Sequence, residues 1–178
     1  MALNANYFFI IIALILASIL LFFKPIALKK SLHEGKEVPA LELHDFTLYE
    51  VGLGGLKDIM IGKDGFRYAD RLEVNDINYT DSSRKLQNNL LADFGVYDNK
   101  ELITLKGNVR YYREDGMHFK ANKTIIDQKK ETMHTVGSFT LSKASDNVVG
   151  ENLFYDTKKS QSRAKDVTAY FTLPEEGE

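Results

Sequence analysis

The side chains that could carry out catalysis are scattered along this chain, and none has the spacing of an active site. His33, His44, His118 and His134 form no pair at the helical spacing of a zinc protease. No serine stands between glycines as in the nucleophile turn of hydrolases. The absence of cysteine excludes thiolate metal sites, a cysteine nucleophile, disulfides and an acylated lipoprotein cysteine. We therefore expect no enzyme activity, no metal site and no cofactor.

Three aspartates, Asp98, Asp127 and Asp156, recur at an interval of 29 residues and could form a ladder of carboxylates. Each is followed two residues later by a lysine within a polar stretch. Aspartate beside a turn usually accepts hydrogen bonds from its own backbone. We therefore interpret the three carboxylates as turn residues.

These turns belong to a repeat that runs from Leu90 to Phe171. Each unit is an apolar strand, the aspartate and lysine turn, and a second strand, which occupies residues 102–112, 132–141 and 162–171. Self-similarity at a fixed period is typical of stacked units that bury a face against their neighbours.

Apolar residues alternate along both kinds of strand, which predicts half-buried antiparallel strands. Gly107 and Gly137 interrupt two of them and predict bends, or space left on the inner face. We predict an all-β body of about ten strands, in two sheets or in one sheet folded on itself. The second strands share Ile103, Leu105, Val109 and Tyr111, then Met133, Phe139 and Leu141, then Val167, Ala169 and Phe171; the first strands share Leu90, Ala92 and Val96, then Phe119, Ala121 and Ile125, then Val148, Gly150 and Phe154.

Strand signals begin upstream of the repeat, at Asp45. A first strand over residues 46–51 ends at a glycine-rich break, and a second covers residues 56–61. Asp64-Gly65 then predicts a hairpin turn. An extended segment over residues 66–79, interrupted near Asp70, precedes a polar loop.

Residues 7–23 carry no charge, and as a helix they would span about 25 Å, near the lower limit for crossing a bilayer. No basic residue precedes them and the following residues make a poor cleavage site, so we favour an uncleaved anchor over a signal peptide. The expected order is a tail at 1–6, this helix, a polar tether at 24–44, the β domain at 45–173 and an acidic tail at 174–178. Lysines after the helix would place the domain in the cytoplasm by the positive-inside rule.

The net charge of −2 gives no basic field for nucleic acid. Asn78 and Asn122 lie in glycosylation patterns, which are short enough to arise by chance.

One short membrane helix, a tether and a repeated strand body together resemble the inner-membrane C component of the lipopolysaccharide transport system, the LptC family. The segments that carry the resemblance are Leu105-Lys106-Gly107-Asn108-Val109, Phe119-Lys120-Ala121-Asn122, Gly137-Ser138-Phe139 and residues 149–156. The resemblance implies an OstA-like β-jellyroll of two sheets, open as a V, with lipid between them. It also implies a single-pass inner-membrane protein whose C-terminal domain is periplasmic. We follow the orientation that the resemblance implies rather than the one that the lysines after the helix predict, because a tail of six residues carries too little charge to determine orientation.

The resemblance implies that the protein accepts lipopolysaccharide from the inner-membrane ABC transporter LptB/F/G and passes it to the periplasmic bridge protein LptA, a related protein with a cleaved signal. The edge strands could also pair two copies as a homodimer. The alternative is a membrane-anchored β-repeat scaffold without lipid cargo. We expect the acyl chains of lipid A to contact Val109, Tyr111, Ile125, Gly137, Phe139, Leu141 and Phe154. We expect the partner-binding edges to include Phe46, Leu48, Val167, Thr168, Ala169 and Phe171.

Overall fold

The computed structural model describes residues 37–83 and 85–172, which form ten antiparallel strands in one continuous sheet and no helix. The all-β prediction is therefore confirmed for this part of the chain. No helix among these residues is long and apolar enough to cross a bilayer. The predicted tail at 1–6, the predicted membrane helix at 7–23, the tether up to residue 36 and the acidic tail lie outside the described residues.

Strand order in the sheet follows chain order, with β7 and β8 occupying successive parts of one position between β6 and β9. The first strand begins inside the predicted tether, and the compact unit begins at Val38. The strands are β1 (Leu41–Gly52), β2 (Gly55–Arg67), β3 (Arg71–Asp81), β4 (Asn88–Asp98), β5 (Leu102–Arg113), β6 (Met117–Asp127), β7 (Thr132–Thr135), β8 (Ser138–Lys143), β9 (Asp146–Asp156) and β10 (Gln161–Tyr170).

The hairpin turn predicted at Asp64-Gly65 is wrong, because β2 continues through both residues and Gly65 pairs with Val74 of β3. The glycine serves packing instead. A Cβ atom at Gly65 would lie 2.9 Å from the ring of Phe46. The turn falls after Arg67, close to the interruption predicted near Asp70.

The predicted aspartate turns are confirmed. The Oδ1 atom of Asp98 accepts hydrogen bonds from the backbone N–H of Lys100 at 2.9 Å and of Leu102 at 3.1 Å. Asp127 and Asp156 accept equivalent bonds from the backbone three residues later, at 2.9 and 3.0 Å. These bonds favour the charged carboxylates, so the pKa of both groups lies below its ordinary value.

A line of interrupted pairing crosses all the strands partway along their length, and we call it the crease. Between β5 and β6, for example, pairing stops after Lys106 and resumes at Val109. The two skipped β5 residues, Gly107 and Asn108, have φ angles of +73° and +45°. Aspartate, asparagine and glycine adopt this left-handed conformation at least cost. The left-handed residues of the crease are Asp45, Asp76, Gly107, Asn108, Gly137, Asn152 and Asp166.

The crease changes which residues share a face of the sheet. In β3, Val74 and Ile77 are both buried, although a regular strand would point residues three apart to opposite faces. In β5, by contrast, Leu105 and Val109 are four residues apart and share one face as in a regular strand, with the two left-handed residues between them. The face that carries these buried side chains, here called the inner face, is therefore continuous across the crease.

Side chains from the two sides of the crease pack against one another. The Cδ1 atom of Ile77 lies where a Cβ atom at Gly95 would be, and Cγ1 of Val74 lies 2.9 Å from such an atom at Gly62. Gly62 and Gly95, which have no side chain, thus leave space for neighbouring side chains at the crease. The core cluster consists of Phe46, Val74, Ile77, Ala92, Leu105 and Val109.

Candidate lipid-binding face

Burial on the inner face decreases with distance from the crease. Leu105 and Val109, beside the crease, are 2% and 1% exposed. Their neighbours two residues farther along β5, Ile103 and Tyr111, are only half-buried. β3 and β4 show the same pattern, whereas on β6 Phe119 stays buried two residues beyond the half-buried Ala121. An apolar surface beyond the core is therefore partly open to solvent. Half-buried apolar residues packed against the core are Leu43, Met60, Leu72, Tyr79, Leu90, Ile103 and Ile126.

Four of the predicted lipid contacts lie together on this face. Val109 pairs with Ala121, which pairs with Phe139, so the three side chains form one row across β5, β6 and β8. Tyr111 and Leu141 lie in the next row toward the rim, on either side of Phe119. The rings of Phe119 and Phe139 stack with their centroids 6.5 Å apart. These rows form the largest aromatic part of the candidate site.

Ile125 does not share that face, and the prediction that it does is wrong. Ile125 pairs with Thr104, the neighbour of inward-facing Leu105, so its side chain points to the outer face. The crease between Ala121 and Thr124 shifts the alternation by one residue. Thr124, which is 2% exposed, takes the inner position instead.

Phe154 lies on the same outer row as Ile125, because both residues pair with His134. Its side chain is 38% exposed. The left-handed residue Asn152 shifts the alternation here, so that the half-buried Leu153 is the inward residue of β9. The predicted correspondence of Phe154 with the inner face of the earlier units is therefore also wrong.

Gly137 lies in the crease between β7 and β8, where its φ angle of +83° confirms the predicted bend. Its N–H donates to Oδ1 of Asn152 at 3.0 Å, and its carbonyl accepts from the N–H of Asn152 at 2.9 Å. No atom lies within 4 Å of where a Cβ atom would be. At Gly107, by contrast, that position is filled by the carboxylate of Asp93.

Sequence analysis missed two buried threonines on the inner face. The Oγ1 atom of Thr135 accepts a hydrogen bond from the N–H of Leu153 at 2.9 Å. Oγ1 of Thr124 is buried and has no hydrogen-bond partner among the described residues. A threonine in an alternating strand carries no sign of which face it occupies. The crease, marked by asparagine, aspartate or glycine inside strands, is the signal that could have located both.

The predicted edge residues lie on β1 and β10, the two ends of the sheet, and within the described chain each of these strands pairs with one neighbour. On β10, Val167 is 52% exposed, and Phe171 follows the end of the strand at 67% exposed. Thr168 and Ala169 are exposed as well. On β1, Leu48 is exposed, whereas Phe46 is buried in the core.

A charged network fixes the rim of the sheet where β5 turns into β6. Arg113 donates from Nε and Nη2 to the two carboxylate oxygens of Asp115, at 2.7 and 2.9 Å. Lys143 donates to the same carboxylate at 2.7 Å. Hydrogen bonds from Arg113, and next from Lys143, hold the pKa of Asp115 well below its ordinary value.

Tyr79 lies on the inner face of β3, where its phenol is perturbed by its surroundings. Burial is the main reason that its pKa rises to about 12, and the nearby carboxylate of Asp58 adds to the effect. The phenol is therefore neutral at any physiological pH. It can act as a hydrogen-bond donor beside the half-buried apolar rows.

The two strand histidines do not form a site. His118 is exposed on β6, where its ring packs edge-on against Tyr112 at 4.9 Å between centroids. His134 is exposed on β7, across the crease from His118. In residues 37–83 and 85–172, no group of three or more histidine and acidic side chains could hold a metal ion.

No protein family and no curated protein matches this chain in sequence. The geometry of the inner face and of the two edges is therefore the basis for assigning a function.

Proposed function

We propose that this chain is a non-enzymatic component of lipopolysaccharide transport that holds the lipid A acyl chains against the inner face of its sheet. The two sides of the crease would then be the walls of a β-jellyroll that opens as a V. The observation that supports the proposal is the decrease in burial from the crease toward the rims. A carrier needs apolar surface that is available to a ligand. The half-buried apolar residues that lie beyond the buried core, such as Ile103 and Tyr111, supply it.

The energetics of acyl chains fit such a surface. Burying one CH₂ group is worth about 0.8 kcal/mol, so exposing a chain of twelve methylenes to water would cost roughly 10 kcal/mol. A lipid that crosses an aqueous compartment must therefore be shielded at every step. The half-buried Tyr111 and Leu141 offer contacts that are lost and regained as the lipid moves along the face.

In this proposal the chain is anchored in the inner membrane with its β domain in the periplasm. An ABC transporter supplies the lipid, and a periplasmic bridge protein receives it by adding a strand to one sheet edge. The exposed β10, which pairs only with β9 among the described residues, is suited to that role. Residues on β1, including Leu48, would meet the transporter.

Photocrosslinking tests the lipid proposal with a matched pair of positions. We expect a crosslinker at Leu141, half-buried on the inner face, to capture lipopolysaccharide in cells, and one at Ile125, half-buried on the outer face, to capture little. A third crosslinker at Lys158, on a turn, provides the exposed control. Equal capture at all three positions would refute an inner-face site. Mass spectrometry of the purified full-length protein should identify the lipid retained.

Gly137, which lies in the crease between β7 and β8, gives a second test of the lipid proposal. Arginine there would place a charged side chain in the open space beside the crease, and we expect transport to fail. Asparagine is the matched control, since it tolerates the positive φ angle without adding charge. Normal transport by a folded Gly137→Arg protein would argue that this space is not used.

A membrane-anchored scaffold without cargo is the second candidate. It is favoured by the complete burial of Leu105 and Val109, which pack as in an ordinary core. A scaffold predicts that purified protein carries no lipid and that binding of a protein partner survives polar substitution at Leu141.

Proline substitution tests the docking edge. Only alternate N–H groups of an edge strand point away from the sheet, so Val167→Pro and Thr168→Pro should differ. One should fold normally but lose binding to the bridge protein, and the other should lower the melting temperature. If both variants fold and still co-purify with the bridge protein, β10 is not the docking edge.

A further inference from the structure

Two pairs of basic residues stand directly opposite each other on β5 and β6. Arg110 pairs with Lys120 on one side of the crease, and Lys106 pairs with Lys123 on the other. Like charges at directly opposite positions of an antiparallel pair destabilise a sheet. All four side chains alternate with inward-facing neighbours and so share the outer face. Two directly opposed pairs of basic side chains at one place are unfavourable for the sheet alone, which suggests that they bind an anion.

No acidic side chain of the described residues forms a salt bridge with any of the four. The ammonium group of Lys106 lies 5.7 Å from the centre of the Phe94 ring. Two carboxylates lie close to the four basic groups. Oδ2 of Asp93 accepts a hydrogen bond from Nδ2 of Asn108 at 2.8 Å. Glu151, exposed on β9, pairs with Ser138 of β8. The four basic groups outnumber these two carboxylates, so the local charge is positive on a chain whose net charge is −2.

A surface depression lies at the same place. Its wall contains Arg110 and Lys120 together with the polar side chains of Asn122, Ser138 and Thr140. Thr140 pairs with Lys120, so its hydroxyl group lies on the same outer face. The depression thus combines a guanidinium group, an ammonium group and neutral hydrogen-bond donors.

We propose that this depression binds a phosphate group, either free or carried on a lipid head group. Arginine matches the oxygens of a tetrahedral anion with two parallel hydrogen bonds, and lysine adds a compact charge. A bound dianion would also relieve the repulsion between Arg110 and Lys120. The two basic side chains lie on the face opposite the apolar core, and Val109, Ala121 and Phe139 of the inner-face row also line the depression.

The test measures phosphate binding to the full-length protein in detergent, by calorimetric titration and by thermal melts at constant ionic strength. We expect inorganic phosphate to raise the melting temperature of the wild type, because a ligand that binds only the folded state stabilises it. We expect Arg110→Gln/Lys120→Gln to bind phosphate at least about tenfold more weakly, given the strength of hydrogen bonds to charged groups. Lys100→Gln/Lys129→Gln, on two turns, removes the same charge and should bind normally.

The melting temperature without phosphate separates phosphate binding from a merely structural role of the basic pairs. If the pairs bind phosphate, Arg110→Gln/Lys120→Gln should melt at or above the wild-type temperature, because it loses a like-charge contact. If they only stabilise the fold, this variant should melt below the wild type. If this variant does not fold, the single substitution Lys120→Gln serves in its place and should also weaken binding. The absence of any phosphate-specific effect on the wild type, or equal weakening in the turn variant, would overturn the proposal.

Short-chain soluble lipids distinguish the two sources of phosphate. Dihexanoyl phosphatidate presents a phosphate monoester head group, and dihexanoyl phosphatidylcholine masks its phosphate with a cation. Tighter binding of the phosphatidate than of inorganic phosphate would assign the site to a lipid head group. Comparable binding of the two would assign it to phosphate itself.

Discussion

The first five strands and the last five strands of the sheet are built differently. Every member of the core cluster comes from β1 to β5. Among the described residues of β6 to β10, Phe119 and Phe139 are the buried apolar side chains, accompanied by Thr124 and Thr135. The final strand, β10, is exposed along almost its whole length. Packing is therefore concentrated in the first half.

The row of inner-face residues beside the crease shows the difference most directly. In β3 and β5 this row contains Val74 and Leu105, which fill the core. In β6 and β7 the same row contains Thr124 and Thr135. Burying a hydroxyl group costs free energy unless it finds a partner. The second half thus carries polar groups at buried positions where the first half carries aliphatic ones.

The largest expected effect is on packing. Leu105→Ala should lower the free energy of unfolding by about 2–5 kcal/mol, because it removes a fully buried side chain and leaves a cavity. Leu141→Ala, at a half-buried position of the second half, should cost roughly half as much or less. Urea denaturation followed by circular dichroism measures both. Equal losses would mean that the two halves are packed alike.

The buried threonines should respond with opposite signs. Thr135→Val leaves the N–H of Leu153 without its acceptor and should destabilise by about 1–3 kcal/mol. Thr124→Val replaces an unpaired hydroxyl with a methyl group and should stabilise by about 1 kcal/mol. The same denaturation experiment compares them. Destabilisation by both substitutions would show that the hydroxyl of Thr124 has a partner in solution.

The smallest expected effect is on pH dependence at the rim. A carboxyl group whose pKa is lower in the folded state stabilises the fold above its ordinary pKa of 3.8, and this stabilisation is lost as the pH falls below that value. Asp115→Asn should therefore lower the melting temperature at pH 7, and the difference from wild type should shrink below pH 3.8. Glu101→Gln controls for the charge. A difference that is independent of pH would contradict the ionic origin.

Local sequence signals predicted the strands and the repeated turns. Alternating apolar residues identified β5 and β6, and the aspartates at Asp98, Asp127 and Asp156 were placed in turns as the structure has them. Both features depend on a few neighbouring residues, so the sequence expresses them directly. The hairpin turn predicted at Asp64-Gly65 was wrong for the opposite reason. The glycine is needed there because the ring of Phe46, 19 residues away in the chain, packs against it.

The sequence by itself determined that the chain forms antiparallel strands with one apolar face, because a period of two is a property of each strand alone. Only the tertiary structure decided which residues that face contains. The crease admits left-handed residues such as Asp76 and Asn152, and on β3 and β9 the shift in alternation exchanges the two faces for the rest of the strand. Thr124 is buried and Ile125 faces outward for this reason, because the shift at the crease keeps the buried side chains of both segments of β6 on one face.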